Sequence, residues 1–327
     1  MRAHLFAAAV CIGAPGALAA CGDSSEGTGV RAELPAVVTP PVSNPPAPPP
    51  AEPKLVEYTL DDPLINESSG LARSQRRDDV LWTLNDSGGA TELYAITTEG
   101  THIATLSITG APANLDWEDL VSYSNGGTPY LLIGDMGDND AFRPFITFYR
   151  VPEPVLAGGT GIEMLSAIPT GLYNVSYPEG PRDNESLAVD GVENVAYVVS
   201  KRDPKPTLYS FSLALPTQTS PLMTNLGAIN IPRAPSDFPG NPESFNWTTA
   251  MDFDDTLSRA YVGTLSNGYF WDRTVGETWA QAFAKAPTGF DLPDYPQIEA
   301  GTFLRGRKDA VYITSEQLPA PLARVIL

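Results

Sequence analysis

Glu118-Asp119-Leu120-Val121 and, beyond a turn, Tyr130-Leu131-Leu132-Ile133 are the two stretches on which the fold turns. An oxygen-bearing side chain leads, small or apolar residues follow, and an aromatic, β-branched run returns. The same shape recurs four more times. Ser69-Gly70-Leu71-Ala72 precedes the run 80–84, and Glu185-Ser186-Leu187-Ala188 precedes 196–199. Thr248-Thr249-Ala250-Met251 precedes 260–264, and Glu299-Ala300-Gly301-Thr302 precedes 311–314. Most units carry a third run, such as 92–96 or 208–211. These runs read as short strands punctuated by Gly, Pro, Asn and Asp. The leading residues are spaced by 49, 67, 63 and 51 residues. A period near fifty with three or four strands per unit is the signature of a β-propeller.

The fold class expected is therefore all-β, a five-bladed propeller over 55–327. The last unit ends after about three strands, and the run 55–60 has no partner beside the first unit. That run is expected to supply the outer strand of the last blade, joining the chain ends and removing an open edge. Six blades is the alternative, if the longer second or third unit hides a degenerate one. A two-sheet sandwich competes less well, since it predicts no fivefold motif. Trp82, Trp117, Trp247 and Trp271 lie in or beside strands and read as packing residues between blades.

Outside the repeats, residues 1–20 read as a signal peptide, with Arg2 as a short basic start and an apolar run too short to span a bilayer. The run closes on Leu18-Ala19-Ala20-Cys21, which matches the bacterial lipobox. That match implies a lipoprotein acylated at Cys21 with palmitate-class chains; plain secretion is the alternative. Nine prolines between 35 and 53 make 21–54 a stiff tether. The expected address is the cell envelope, at the outer membrane or cell surface. The lipid on Cys21 is the expected membrane contact.

Composition narrows the chemistry. A formal net charge of −19 argues against nucleic acid and anionic lipid as partners. Beyond the signal, Cys21 is the one cysteine and His102 the one histidine. A disulfide framework and a His-rich zinc site are thereby excluded. Acid–base work falls to carboxylates.

In a propeller the first strand of each blade lines the central channel, and its opening residues share one face. Ser69, Glu118, Glu185, Thr248 and Glu299 are thus expected to form one ring. Three glutamates in a narrow channel repel one another, so either their pKa values rise or a cation neutralises them. An all-oxygen donor set suits Ca²⁺; Mg²⁺, with its tight octahedron, fits less well. The second-strand ends add Asn85-Asp86-Ser87-Gly88, Gly134-Asp135-Met136-Gly137-Asp138-Asn139, Ser200-Lys201-Arg202 and Ser315-Glu316 to the same face. The 134–139 loop lacks EF-hand spacing and its closing Glu.

The ordered ring Ser, Glu, Glu, Thr, Glu resembles the calcium-activated nucleotidase (apyrase) family, a five-bladed propeller. In that family Ser and Glu side chains, in the order Ser, Glu, Glu, Ser, Glu, hold a central calcium. The resemblance spans residues 65–320 at these short motifs. Ser69, Glu118, Glu185 and Glu299 fall on the pattern, and Thr248 keeps the hydroxyl of a Ser. Leu84-Asn85-Asp86 looks like the family's acidic turn, and Val199-Ser200-Lys201-Arg202 like its basic one. The resemblance implies a calcium-dependent phosphohydrolase acting on nucleotides or other phosphate esters. Asp86 or Asp135 would act as base or water holder, with Arg143, Lys201 and Arg202 on the phosphate. The 134–139 loop departs from that pattern. With Asp116-Trp117-Glu118-Asp119 it is also similar to bacterial propeller lipoproteins of no assigned activity. The alternative function is a non-enzymatic, monomeric surface-binding or scaffold module with structural calcium. A lactonase-like metal hydrolase is a third reading, lowered by the absence of Asn and Asp from the ring.

Overall fold

The computed structural model describes residues 52–214, 216, 219–235, 240–316 and 318–327. The leader at 1–20, Cys21 and the tether up to residue 51 lie outside the described residues. The chain enters as β1 (Leu55–Thr59) and then builds blade one from β2 (Ser68–Arg73), β3 (Val80–Asn85), β4 (Glu92–Thr97) and β5 (His102–Ile108). Blade two is β6 (Trp117–Asn125), β7 (Thr128–Asp135) and β8 (Ile146–Pro152). The chain next makes β9 (Glu163–Ala167), which pairs in parallel with β5, before β10 (Gly171–Val175) completes blade two. Blade three is β11 (Asn184–Asp190), β12 (Val195–Ser200), β13 (Thr207–Ser212) and β14 (Thr224–Ala228). Blade four is β15 (Thr248–Phe253), β16 (Arg259–Thr264), β17 (Asn267–Asp272) and β18 (Thr288–Asp291), with helix α1 (Trp279–Phe283) before its last strand. Blade five is β19 (Ile298–Phe303), β20 (Ala310–Ser315), β21 (Pro321–Ile326) and, at its outer edge, β1.

The fold is thus the expected five-bladed propeller, and β1 closes it. Leu55 pairs with Val325 and Thr59 with Pro321, antiparallel. The extra length of the second unit is the detour through β9, and that of the third lies in the connection from β14 to β15; neither is a sixth blade. The inner strands touch in sequence round the axis, β2 to β6, β11, β15, β19 and back to β2.

Every inner strand is buried along its whole length, apart from the last two residues of β6. The core divides into five apolar clusters, one in each wedge between neighbouring blades. Trp82 and Trp117 fill the wedge between blades one and two, and Trp271 that between three and four. His102 is structural. Its Nδ1 lies 2.7 Å from Asp62 Oδ2 and its Nε2 3.0 Å from the Ala104 carbonyl, which pins the crossing from β1 to β2.

The inner strands all start on one face, called upper here, and run down. At the lower end Arg73, from blade one, crosses to blade four. Its guanidinium pairs with Asp252 and Asp255 and donates to the Phe253 carbonyl. Thr302 and Phe303 N, from blade five, also donate to Asp252 Oδ2, at 2.8 and 3.0 Å. Ser122 of blade two donates to the Arg73 carbonyl. Four blades are stapled there, and Arg73 and Asp252 are nearly out of solvent. Because β1 is antiparallel to β21, it starts at the lower rim, where Glu52 pairs with Arg307 at 2.6 Å and Arg324 at 3.1 Å.

Deleting residues 52–59 would leave β21 as an unpaired edge carrying Leu322 and Val325. We expect a lower melting temperature and soluble oligomers, read by thermal denaturation and light scattering after size exclusion.

Candidate metal centre

Each inner strand begins with a β-bulge. The register skips one residue between Ser68 and Gly70, Trp117 and Asp119, Thr248 and Ala250, and Ile298 and Ala300, and two, Glu185 and Ser186, between Asn184 and Leu187. A bulge frees one residue from the ladder and re-aims its side chain. The bulged position is Ser69, Glu118, Glu185, Thr249 and Glu299. In blade four this corrects the sequence alignment by one place. Thr248 sits before the bulge, opposite Thr264, and Thr249 is the counterpart of the other four. Thr249 Oγ1 donates to the Ile298 carbonyl at 2.7 Å, and Thr248 Oγ1 is buried without a partner among the described residues. Ser69 Oγ donates to the Glu118 carbonyl at 2.7 Å and reaches Glu118 Oε2 at 3.3 Å.

The carboxylates gather more tightly than a ring of five. Oxygens of Asp86, Asp116 and Glu118 lie within 4.8 Å of one another, and so do those of Glu118, Asp183 and Glu185. Glu118 belongs to both groups. Asp116 and Asp183 are the site residues that reading the leading positions missed. Their signal was present, since Asp116-Trp117-Glu118 and Asp183-Asn184-Glu185 repeat one Asp-x-Glu spacing. The bulge swings the Glu, and the preceding loop brings the Asp beside it.

Backbone from the next loop closes over this group. Met136 N and Gly137 N donate to the Asp116 carbonyl at 3.0 and 3.2 Å. A Cβ on Gly137 would overlap Glu118 Oε1 and Asp116 Oδ2. Only a glycine brings its backbone so near two carboxylates.

The protein's own cations are unevenly shared. Lys201 Nζ pairs with Glu185 Oε1 and lies 3.9 Å from Glu299 Oε1. Arg202 Nε donates to Asp183 Oδ2 at 2.6 Å, its other arm reaches Asn139, and its guanidinium lies 4.3 Å from the Trp247 ring centroid. Trp247 is therefore half-buried at the mouth, not packed between blades as its sequence context suggests. Arg143 donates to Asp135 Oδ1 at 2.8 Å and to the Gly137 carbonyl at 2.8 Å. Asp86, Asp116 and Glu118 have no ion pair among the described residues.

Asp135 stands apart from Asp86. It pairs with Trp117 across the ladder, as Asn85 pairs with Ser68, so Asp86 is one place further along. Successive side chains alternate faces. Asp86, Lys201 and Glu316 share the position that follows the second strand. Asp135 lies on the other face, buried against Arg143.

Burial without enough positive charge raises the carboxyl pKa values. Burial, then Glu185 and Asp86, hold Glu118 well above the usual range. Burial pushes Glu185 up to about 7, against the pull of Lys201. Burial, Glu185 and Glu316 carry Glu299 to about 9, and burial with Asp86 carries Asp116 to about 6. Asp86 and Asp135 are raised too, chiefly by burial. On Lys201 burial opposes the charge, but Glu185 and Glu299 outweigh it and the pKa is raised.

An all-carboxylate set, a glycine cradle and a buried Glu185 Oε2 with no hydrogen-bond partner among the described residues fit a hard divalent cation. Asp86, Asp116 and Glu118 would hold it, with Asp183 and Glu185 adjoining. Comparison with protein-family models gives no match, and neither does a search of curated proteins.

Two outcomes follow. In chelator, these acids bind protons more tightly folded than unfolded, so stability falls as pH rises from the ordinary carboxyl range, about 4, through about 9. The melting temperature should decline across pH 5–9, and a divalent ion should flatten the decline. Gly137→Ala should destabilise by about 1–3 kcal/mol through overpacking and weaken cation binding, read by denaturant melts and calorimetry.

Proposed function

We propose that this propeller is an extracytoplasmic, lipid-anchored protein that binds calcium at the upper mouth of its channel. The observation that carries the reading is the group Asp86, Asp116 and Glu118, three converging carboxylates with no protein cation paired to them among the described residues. Unneutralised, charges within 4.8 Å of one another repel by about 3 kcal/mol or more per pair at an effective dielectric near 20. A bound divalent ion removes that repulsion. An anchor at Cys21 would put the site in the cell envelope, where calcium is abundant enough to fill even a weak extracellular-type site.

The activity proposed for the loaded mouth is phosphoester hydrolysis, on nucleotides or related phosphates. Calcium would supply a Lewis acid for phosphate oxygens. Asp86, half-buried at the mouth, would hold water through the carboxylate oxygen it does not give to the ion. Arg202 and Arg233 line a cleft of about 380 Å³ with Trp247, Asp203 and Glu243, so an anion there would meet two cations and two acids.

One observation favours the second reading, a binding or scaffold module with structural calcium. Lys201, Arg143 and Arg202 each have acidic partners already. A phosphate would have to compete for them.

Calorimetry with Ca²⁺ tests the shared premise. Glu118→Gln should weaken binding at least ~tenfold. Phosphate release from nucleoside di- and triphosphates separates the two readings. Calcium-dependent turnover lost in Asp86→Asn supports hydrolysis. A calcium-dependent rise in melting temperature without turnover across a broad ester panel supports the binding module. Absence of calcium binding sinks both.

A further inference from the structure

Glu185 has two unlike oxygens. Oε1 is paired with Lys201. Oε2, on a side chain almost wholly out of solvent, has no hydrogen-bond partner among the described residues. Its carboxylate forms a compact group with Glu118 and Asp183, and Glu118 also completes the group with Asp86 and Asp116. Two sets of three carboxylates therefore adjoin, with one residue in common.

The two sets are neutralised differently. The Asp86 side has no protein cation paired to it among the described residues, whereas the Glu185 side receives Lys201, and Asp183 receives Arg202. The register explains the asymmetry, since Lys201 holds in blade three the place that Asp86 holds in blade one. One blade contributes a negative charge to the mouth and another, at the same strand end, a positive one.

We propose that the mouth is built as two adjoining cation positions sharing Glu118, and that Lys201 is the resident cation of the second, limiting the protein to one bound divalent ion. This rests on the calcium reading above. The ammonium sits on Glu185 and faces Glu299, so a second ion must displace it from two carboxylates. It is a specificity-determining residue that sets stoichiometry. A displaced ammonium has a neighbouring acceptor in the face of Trp247, whose ring centroid is already 5.9 Å from Nζ. Trp247 is the half-buried tryptophan; Trp82, Trp117, Trp271 and Trp279 are fully buried. Its fluorescence therefore reports on this position.

The test is calorimetry of the full chain with Ca²⁺ alone, with tryptophan emission recorded alongside. The wild type should bind one ion. Lys201→Met should bind two, the first at least ~tenfold tighter, because a positive charge has left the mouth. Should that variant unfold, Lys201→Met with Glu299→Gln removes one charge of each sign and should still bind two. In the wild type, calcium well beyond saturation of the first position should leave emission unchanged, whereas filling of the second position in Lys201→Met should shift it, and adding Trp247→Phe should abolish that shift. Two ions in the wild type, or folded Lys201 variants that keep one ion at wild-type affinity, overturn the proposal. No ion in the wild type but one in the variants overturns the calcium reading of the natural protein and supports Lys201 as the occupant. No binding by any form overturns both.

Discussion

Five sheets wedge round one axis, and the last blade finds its fourth strand at the other end of the chain. That antiparallel pairing of β1 with β21 is the constraint on which the rest depends. Each apolar cluster lies between two blades rather than inside one, so no blade completes its core alone. Closure brings blade five against blade one, and with it Glu299 into the same mouth as Ser69. A site made from the starts of five strands exists only in the closed ring.

Closure also creates an electrostatic problem. The bulges turn Glu118, Glu185 and Glu299 inward where water is scarce, and the loops add Asp86, Asp116 and Asp183. The carboxyl pKa values rise there, and Lys201 and Arg202 pair with acids on one side. The lower end is handled oppositely. There Asp252 receives a guanidinium, a hydroxyl and a backbone N–H, a fully satisfied network that locks blades together. The two ends of one channel thus differ in kind, one completed and one left with charge to spare.

The blade count, the closing strand and most leading residues were legible because period and strand composition repeat along the chain. What was illegible came from single-residue effects. In blade four two threonines stand side by side, and only the bulge in the ladder tells Thr249 from Thr248. Asp135 reads as the twin of Asp86, but a shift of one place in a two-residue alternation sends it to Arg143. Trp247 looks like Trp82 or Trp271 in composition, and only tertiary placement puts it against Arg202. Asp116 and Asp183 were within reach, because their Asp-x-Glu spacing repeats between two blades. Lys201 and Arg202 were visible as positive charge near the mouth, but their partners depend on which strand end faces which.

The entry of β1 at the lower rim has a mechanical side. Glu52, just before β1, is pinned by Arg307 and Arg324, and the strand then climbs the outer edge of blade five toward the level of the mouth. A pull transmitted through residue 52, resisted by something gripping the upper face, acts along the length of β1. The rungs between β1 and β21 then share the load at once, instead of opening one after another as a zipper does. The strand that closes the circle is thereby oriented to bear tension, and the Glu52 ion pairs would give way before the ring is threatened.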